Sequence, residues 1–368
     1  MTPLSAQAWL EKIRALPLHR KVRIMNVCGG HERTITLSGL RHALPSDIEL
    51  IPGPGCPVCV CPEEDVYEAI QLARKKNVIV CAFGDMLRVP VNAPKGDIRS
   101  LEQARAAGAD VRPVASPAEV VQIACDNPRR AVVFFAAGFE TTMAPVAAML
   151  AQGTPDNLFL LLSGRLTWPA VAMLLAGGRP GFDALIAPGH VSTIMGPEEW
   201  RFVADKHRIP AAIGGFTPET LLAAIYSTLR QIGEGECFLD NCYPEVVLPG
   251  GNSGAQRYIA ETMHVTDAMW RGIDMIPASG FALKEHLLEK DARRRFSSRS
   301  DTTRKRMGEM PPGCDCAKVV LGRIYPNACK LYGRACTPRT PVGPCMVSDE
   351  GACRIWWAGG ARTETETV

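Results

Sequence analysis

The stretch VRIMNVCGGHE at residues 22–32 passes from a β-branched apolar run into two glycines, a histidine and a glutamate. A short apolar run that ends in glycines is typical of a buried strand that turns into a helix. The same change recurs in IELIPGPGCPVC at residues 48–59. Strands that alternate with helices form parallel sheets with right-handed crossovers, so we predict an α/β fold.

The same alternation continues along the first two thirds of the chain. We predict strands at 22–27, 48–51, 78–82, 131–136, 158–163, 184–187 and 211–213. We predict helices at 32–43, 63–75, 100–108, 140–151, 168–177, 198–207 and 217–230. After about residue 236 glycine, proline and cysteine become frequent, and we expect no regular strand there.

A chain of 368 residues is too long for one small core and favours two or three domains. We predict two similar parallel-sheet α/β domains at 1–115 and 116–235, and a small C-terminal domain at 236–368. The second would open at Ser116-Pro117, because the residue before a proline resists helix. The N-terminal helix is expected to pack on the third domain, which a metal cluster would hold together.

Charge and hydropathy exclude several classes of protein. The 41 basic and 38 acidic residues give a net charge of +3, which predicts no nucleic acid and no membrane partner. The basic stretch 293–306 is interpreted as a solvated linker, with a nucleic-acid patch as the alternative. We expect that the N-terminus is not a signal peptide, and no apolar run reaches ~18 residues. We therefore expect a cytoplasmic protein, in which clustered cysteines indicate metal or redox chemistry.

The motifs that follow the first two strands carry three cysteines. Cys28 and His31 follow strand 22–27, whereas Cys56 and Cys59 follow strand 48–51. Ligands bind at the carboxyl ends of parallel strands, so neighbouring strands would bring these thiols into one cleft. Helix N-termini are expected to lower the pKa of these thiols and favour the thiolates that metal binding needs.

A Cys-x-x-Cys pair alone leaves several kinds of chemistry open. It is compatible with a thioredoxin-like redox pair, with half of a zinc site whose fourth ligand is His31, or with a pair of cluster ligands. Redox chemistry or transient iron binding fits the edge of a parallel sheet better than structural zinc. Cys61 is a spare thiol beside this pair.

A second set of polar residues follows two later strands. Glu140 and Thr141 follow strand 131–136, and His190 follows strand 184–187. They are expected to face the same cleft across the domain interface, with Glu140 as a candidate catalytic residue. The alternative is that Thr141 and Ser192 only cap helices.

Six cysteines fall within the last 55 residues: Cys314, Cys316, Cys329, Cys336, Cys345 and Cys353. An iron–sulfur cluster takes four thiolates at irregular spacing, whereas zinc more often uses two Cys-x-x-Cys knuckles, which are absent here. We therefore predict a [4Fe–4S] cluster and a C-terminal iron–sulfur domain. One choice of ligands is Cys314, Cys329, Cys336 and Cys353, which leaves Cys316 and Cys345 as a thiol pair.

Several motifs together resemble the HypD family of [NiFe]-hydrogenase maturation factors. They are CGGHE (28–32), GPGCPVC (53–59), FGDMLRVP (83–90), GFETT (138–142), PGHVS (188–192) and the spacing of the four cysteines above. The resemblance spans nearly the whole chain. It implies two α/β units of similar fold and a third unit that carries the [4Fe–4S] cluster.

The resemblance also implies a function. It implies a scaffold that, with the small chaperone HypC, holds an iron ion while two cyanides and one carbon monoxide are attached. The cyanide would come from HypE, and the product would pass indirectly to the hydrogenase large subunit. Cys28, helped by His31, would bind the iron, and Cys56 and Cys59 would be the redox-active pair. The four cysteines just named would be the cluster ligands.

The sequence departs from the family pattern at Arg33, where many members have a second histidine, and at Cys61, where threonine is common. Two rival functions stay open at this point. One is a cluster-dependent thiol–disulfide reductase that resembles ferredoxin–thioredoxin reductase, and the other is a structural zinc protein that recruits partners. The leading hypothesis is an assembly scaffold with redox activity.

Overall fold

The computed structural model describes residues 4–94, 96–178, 180–296 and 310–361. Residues 297–306 of the basic stretch, on which the interpretation as a linker depended, lie outside the described residues.

Eleven strands form within the described residues, and all seven predicted strands are among them. They are β1 Val22–Asn26, β2 Ile48–Pro52, β3 Val78–Phe83, β4 Val111–Val114, β5 Ala131–Gly138, β6 Leu158–Gly164, β7 Ala184–Pro188, β8 Ala211–Gly214, β9 Leu239–Asn241, β10 Met263–Trp270 and β11 Asp274–Leu283.

The α-helices of the described residues are α1 Ala6–Arg14, α2 Gly29–Leu37, α3 Leu40–Ala43, α4 Pro57–Val60, α5 Glu63–Ala73, α6 Leu101–Ala106, α7 Pro117–Asp126, α8 Glu140–Ala151, α9 Thr167–Ala176, α10 Gly189–Met195, α11 Arg201–Asp205, α12 Pro218–Glu234, α13 Ser253–Thr262, α14 Ala292–Arg295, α15 Cys316–Val320 and α16 Ala352–Ala358. Five 3₁₀ turns cover Gly84–Arg88, Glu198–Trp200, Glu285–Lys290, Pro326–Ala328 and Pro344–Met346. No helix in the described part of the chain is both long and apolar enough to cross a membrane.

Two parallel sheets confirm the predicted α/β fold class. The first has the strand order β2-β1-β7-β8-β9, and the second has the order β4-β3-β5-β6. Most strands of the two sheets are buried, because helices cover both faces, whereas the edge strands β4 and β9 are partly accessible. In the first sheet Asn26 lies beside Pro52, so β1 and β2 end at the same edge.

The predicted grouping of strands into blocks at 1–115 and 116–235 is wrong. The chain leaves the first sheet after β2, builds the whole second sheet with β3 to β6, and returns with β7 to pair with β1. Apolar strand patterns show that a segment is buried but carry no information about which strand it pairs with. Each sheet therefore contains strands from both predicted blocks.

The N-terminal helix does not pack where the sequence placed it. Leu10 and Ile13 of α1 join a core with Leu221 and Leu229 of α12 and with β1. Trp9 also packs against Tyr226 of α12 in a tilted arrangement, with 5.4 Å between ring centroids. Helix α1 thus packs on the layer of the first sheet and not on the third domain. The reason is that the apolar side of α12 is the surface that fits the apolar side of α1.

The expectation that strands vanish after residue 236 is also wrong. Strands β10 and β11 pair antiparallel and form a hairpin, and β9 joins the first sheet. Strand β11 contains a proline and a glycine, and much of β10 faces solvent, so neither shows the continuous apolar pattern of a buried strand. Residues 311–361, in contrast, form only short helices, turns and one isolated bridge.

Candidate metal and redox site

Two loops at the edge of the first sheet meet closely, and we call them the sheet-edge loops: residues 27–32 after β1 and residues 53–59 after β2. The Gly29 amide donates a hydrogen bond to the Gly55 carbonyl at 3.1 Å. A Cβ atom on Gly55 would lie 2.5 Å from the backbone nitrogen and Cα of Cys28. Glycine at position 55 therefore allows the two backbones to approach each other.

Cys28 is the residue that precedes helix α2, and its thiol lies half-buried over the start of that helix. Burial, with a further contribution from the Glu350 carboxylate, raises the pKa of the Cys28 thiol to about 12. Hydrogen bonds from the His31 and Gly30 amides act in the opposite direction. The expectation that the helix N-terminus lowers this pKa is wrong, because desolvation outweighs the helix.

His31 lies on helix α2 and is fully buried against strand β8 of the first sheet, at 0% exposure. Its Nε2 donates to the Gly214 carbonyl at 3.0 Å, which leaves Nδ1 unprotonated and, among the described residues, without a hydrogen-bond partner. Burial lowers the pKa of His31 to about 4, so the ring is neutral at pH 7. Phe216 packs on this ring with 4.9 Å between centroids.

Cys56 and Cys59 form a disulfide bond across the short helix α4. Both residues are nearly inaccessible, at 4% and 2% exposure. A large protein substrate would not reach this bond without a movement of the chain.

A narrow cavity joins the sheet-edge loops to the C-terminal part of the chain. It is lined by Cys28, Cys56, Cys345, Glu350 and Asn26, among others. Cysteines from three parts of the sequence thus line one small space. The Asn26 Oδ1 atom is buried and has no hydrogen-bond partner within the described residues.

Glu350 packs directly against the loop that carries Cys28. A Cβ atom on Gly29 would lie 2.5 Å from the Cβ and the carbonyl oxygen of Glu350. Burial, with a smaller effect of Asp85, raises the pKa of Glu350 to about 7. This acidic group explains part of the high pKa of Cys28.

Glu140 and His190 occupy different surroundings. The Glu140 carboxylate accepts hydrogen bonds from the Thr167 amide at 2.6 Å and from its hydroxyl at 2.8 Å, at the start of α9. Burial raises the pKa of Glu140 to about 7. His190 stacks on Phe216, the residue that also packs on His31, with 3.6 Å between ring centroids. Neither residue lines the narrow cavity in the described structure.

The extra thiol at Cys61 is buried beside the second sheet. Its Sγ lies 3.4 Å from the Ser163 hydroxyl, which in turn donates to Asp65 at 2.6 Å. Burial, with a smaller effect of Asp65, raises the pKa of Cys61 to about 12. These contacts give Cys61 an ordinary environment for a buried thiol.

The C-terminal cysteine segment, residues 314–353, brings several sulfur atoms together. The ligand atoms of Cys316, Cys345 and Cys353 all lie within 4.8 Å of one another, and all three residues are buried. Cys314 Sγ lies 3.3 Å from Cys316 Sγ. A Cβ on Gly343 would lie 2.4 Å from the first of these two sulfurs and 2.6 Å from the second, so this glycine leaves room for the sulfur group.

These thiols fit an iron–sulfur cluster, because soft, buried sulfur donors are the ligands that such clusters use. Hydrogen bonds from Cys316 and Cys353 lower the pKa of Cys345 to about 5, whereas that of Cys353 is raised by its thiol neighbours. Of the four predicted ligands, only Cys353 is in the close group of three. Cys336 is also buried, and its Sγ accepts from the Val342 amide at 3.4 Å.

Comparison with known proteins relates the whole of this arrangement to one family. The family model described as "HypD: Hydrogenase formation hypA family" matches residues 5–360. The chain belongs to the HypD family. It is 39% identical over 354 residues to hydrogenase maturation factor HypD of Azotobacter vinelandii, covering 94% of this chain and 91% of that protein.

Two further relatives are similarly close. The HypD maturation factor of Rhodobacter capsulatus is 40% identical over 348 residues, covering 93% of this chain and 91% of that protein. That of Escherichia coli K12 is 38% identical over 342 residues, with 92% and 89% covered. The similarity thus includes both sheets and the C-terminal cysteine segment. Hydrogenase maturation by a HypD-type factor is therefore the function of this chain at the family level.

Sequence reasoning missed several residues that shape the site of this HypD family member. Asn26 is a polar residue at the end of an apolar strand, a pattern that indicates a buried polar contact. Glu350 lies between two late cysteines and next to a glycine. Phe216 follows the glycine pair after β8, but its contact with His31 depends on the pairing of distant strands.

Proposed function

We propose that this protein is the scaffold on which the iron group of a [NiFe]-hydrogenase receives two cyanides and one carbon monoxide. The observation that carries the proposal is the cavity shared by Cys28, Cys56 and Cys345. It gives an iron ion access to a thiol ligand beside a disulfide and beside a second group of sulfur ligands. Membership of the HypD family supports the proposal, because the relatives are hydrogenase maturation factors.

Cys28 is the proposed ligand of the iron substrate. A thiolate is soft enough to hold low-spin iron and exchanges readily enough to release it. The high pKa of the Cys28 thiol means that iron must displace a proton, so affinity should rise with pH. His31 is the proposed second ligand through Nδ1, whose lone pair is free. That role requires the Phe216 ring to move, because His31 is buried beneath it.

Cys56 and Cys59 are the proposed source of electrons for cyanide transfer. A thiocyanate-like donor, R–S–CN, takes up two electrons and gives R–S⁻ and CN⁻. The dithiol form of the pair supplies these two electrons, loses two protons and becomes the disulfide. The disulfide seen here would then be the oxidised state, which must be reduced before the next transfer.

A [4Fe–4S] cluster is the proposed cofactor of the C-terminal cysteine segment, with Cys314, Cys329, Cys336 and Cys353 as its ligands. When bound, such a cluster stores and delivers single electrons. Cys316 and Cys345 would remain as thiols beside it. The tight group of Cys316, Cys345 and Cys353 is the alternative ligand set.

The proposed partners follow from the family role. A HypC-type chaperone would share the iron, a HypE-type protein would donate cyanide, and the hydrogenase large subunit would receive the product indirectly. A cytoplasmic location is part of the proposal, because the free thiols require a reducing compartment. The rival function as a disulfide reductase is less well supported, since the disulfide is 4% and 2% exposed at its two cysteines.

Infrared spectroscopy tests the proposal. Anaerobically purified protein with its HypC-type partner should show bands of metal-bound cyanide and carbon monoxide. Cys28→Ala should lose these bands, whereas Cys125→Ala, at an exposed cysteine far from the site, should keep them. Bands that persist in Cys28→Ala would contradict the iron assignment.

A further inference from the structure

Two short helices that carry cysteines at or near their starts lie side by side. Helix α2 follows Cys28, and helix α16 contains Cys353. Near the other end of this contact, a Cβ on Gly359 would lie 2.2 Å from the Thr36 side chain, so the two helices approach closely. The contact joins the sheet-edge loops to the C-terminal cysteine segment.

A single buried carboxylate lies at the centre of this contact. Glu32, 2% exposed, accepts from Trp356 Nε1 at 2.6 Å and from Arg41 Nη2 at 2.6 Å through the same oxygen. Its other oxygen accepts from Asn26 Nδ2 at 2.9 Å. The Arg41 guanidinium also lies over the Trp356 ring, 4.8 Å from its centroid.

We propose that Glu32 is a positioning residue that holds helix α16 against helix α2 and thereby fixes the wall of the Cys28 site. The inference rests on the proposed function only where it concerns iron affinity. Glu32 lies one helical turn beyond Cys28, so it moves with the thiol. Its bond to Trp356 fixes the helix that begins just after Glu350.

The position of α16 matters because Glu350 forms one side of the space around Cys28. The Glu350 backbone packs on Gly29, and its side chain lines the narrow cavity. Helix α16 follows after one residue and is only seven residues long, so Glu350 and Trp356 move together. A charged hydrogen bond in a buried place is strong and directional, and its loss leaves a buried acceptor short of one donor.

The test compares two neighbouring tryptophans. Trp356→Phe removes the donor to Glu32 and keeps an aromatic ring, whereas Trp357→Phe makes the same change where the ring packs on Tyr332. Cobalt(II), a spectroscopic probe for thiolate sites, is titrated into anaerobically purified full-length protein, and binding by Cys28→Ala is subtracted. We expect Trp356→Phe to weaken the Cys28-dependent binding about tenfold and Trp357→Phe to leave it unchanged.

A second measurement needs neither metal binding nor activity. Iodoacetamide is added to the same proteins, and alkylation of the Cys28 peptide is followed by mass spectrometry. We expect Trp356→Phe to raise the Cys28 rate about tenfold, because the wall of the site opens. Cys81, fully buried in the second sheet, serves as the internal gauge of global unfolding and should stay unmodified.

The outcomes separate the inference from the proposed function. Equal Cys28 alkylation in Trp356→Phe and wild type would overturn the role of Glu32, as would a parallel rise at Cys81. If wild type and Cys28→Ala bind cobalt equally, iron binding at Cys28 fails, and the alkylation result still decides on Glu32. Should Trp356→Phe not fold, Glu32→Ala removes the acceptor of the Trp356 hydrogen bond and must show the same rise at Cys28.

Discussion

The two cysteine-rich regions of this protein are held in place by different means. The sheet-edge loops are fixed by strands β1 and β2 and by backbone contacts such as the one between Gly29 and Gly55. The C-terminal cysteine segment has, among its described residues, only the isolated bridge between Tyr332 and Cys336 in place of a sheet. We infer that the first region is organised before any ligand binds, whereas the second depends on its sulfur ligands and their cofactor.

The largest effect is expected from the cysteines of the second region. Cys314→Ser, Cys329→Ser, Cys336→Ser and Cys353→Ser should each reduce the iron content from about four per chain to nearly none. Cys316→Ser and Cys345→Ser should keep the iron, with Cys125→Ser as the control. Iron analysis and visible absorption measure the outcome.

The same series decides between the two ligand sets. Loss of iron in Cys316→Ser and Cys345→Ser, with iron retained in Cys329→Ser, would make the close group of three the core of the site. Loss of the parallel sheets in any of these variants, judged by circular dichroism, would contradict the independence of the first region.

The next effect concerns the neutral His31 in the first region. Its pKa falls from 6.5 to about 4 on folding, so below pH 6.5 the unfolded chain binds a proton that the folded chain does not. Stability is therefore lost as pH falls from 6.5 towards 4, by about 2–3 kcal/mol from this residue. Chemical denaturation of wild type and His31→Asn at pH 7 and pH 4.5 measures it.

The difference in pH dependence of stability between wild type and His31→Asn gives the contribution of His31 alone, because buried carboxyls such as Glu140 titrate in both proteins. A wild-type pH dependence that survives unchanged in His31→Asn would contradict the buried neutral ring.

A smaller effect is expected where the two sheet-edge loops touch. Gly55→Ala would place a Cβ 2.5 Å from the Cys28 backbone, so a shift of one loop is required. We expect a loss of about 1–3 kcal/mol in the free energy of unfolding. Gly84→Ala is the matched control, since nothing lies within 4 Å of its added Cβ. Equal thermal midpoints for the two variants would show that the loop contact is adaptable.

The smallest effect concerns the point where the two regions meet. Glu350→Gln removes a negative charge near Cys28, which should lower the pKa of that thiol and raise its alkylation rate at pH 8 about threefold. Asp349→Asn, at the exposed neighbouring residue, should leave the rate unchanged. A rate that falls in Glu350→Gln would mean that the carboxylate favours the thiolate.

The sequence predicted local structure well and long-range pairing poorly. The ends of the first two strands, predicted at residues 27 and 51, were correct to within one residue, because apolar runs that stop at glycines depend only on neighbouring residues. The grouping of strands was wrong, since the pairing of β1 with β7 joins residues far apart in the chain. The direction of the Cys28 pKa shift was missed for the same reason, because burial of the thiol, with a smaller contribution from Glu350, depends on distant parts of the chain.

The chain leaves the first sheet after β2 and returns to it only at β7. This path determines when the parts of the Cys28 site come together during synthesis. A nascent chain that has emerged as far as β6 already contains Cys28, Cys56 and Cys59, yet it lacks β7, which pairs with the second edge of β1. The carbonyl that holds His31 arrives with β8, and the wall residue Glu350 arrives much later. Contacts of such high sequence separation form late in folding. The site around Cys28 is therefore complete only in a finished chain, and an incompletely synthesised protein would lack both the carbonyl that holds His31 and the wall residue Glu350.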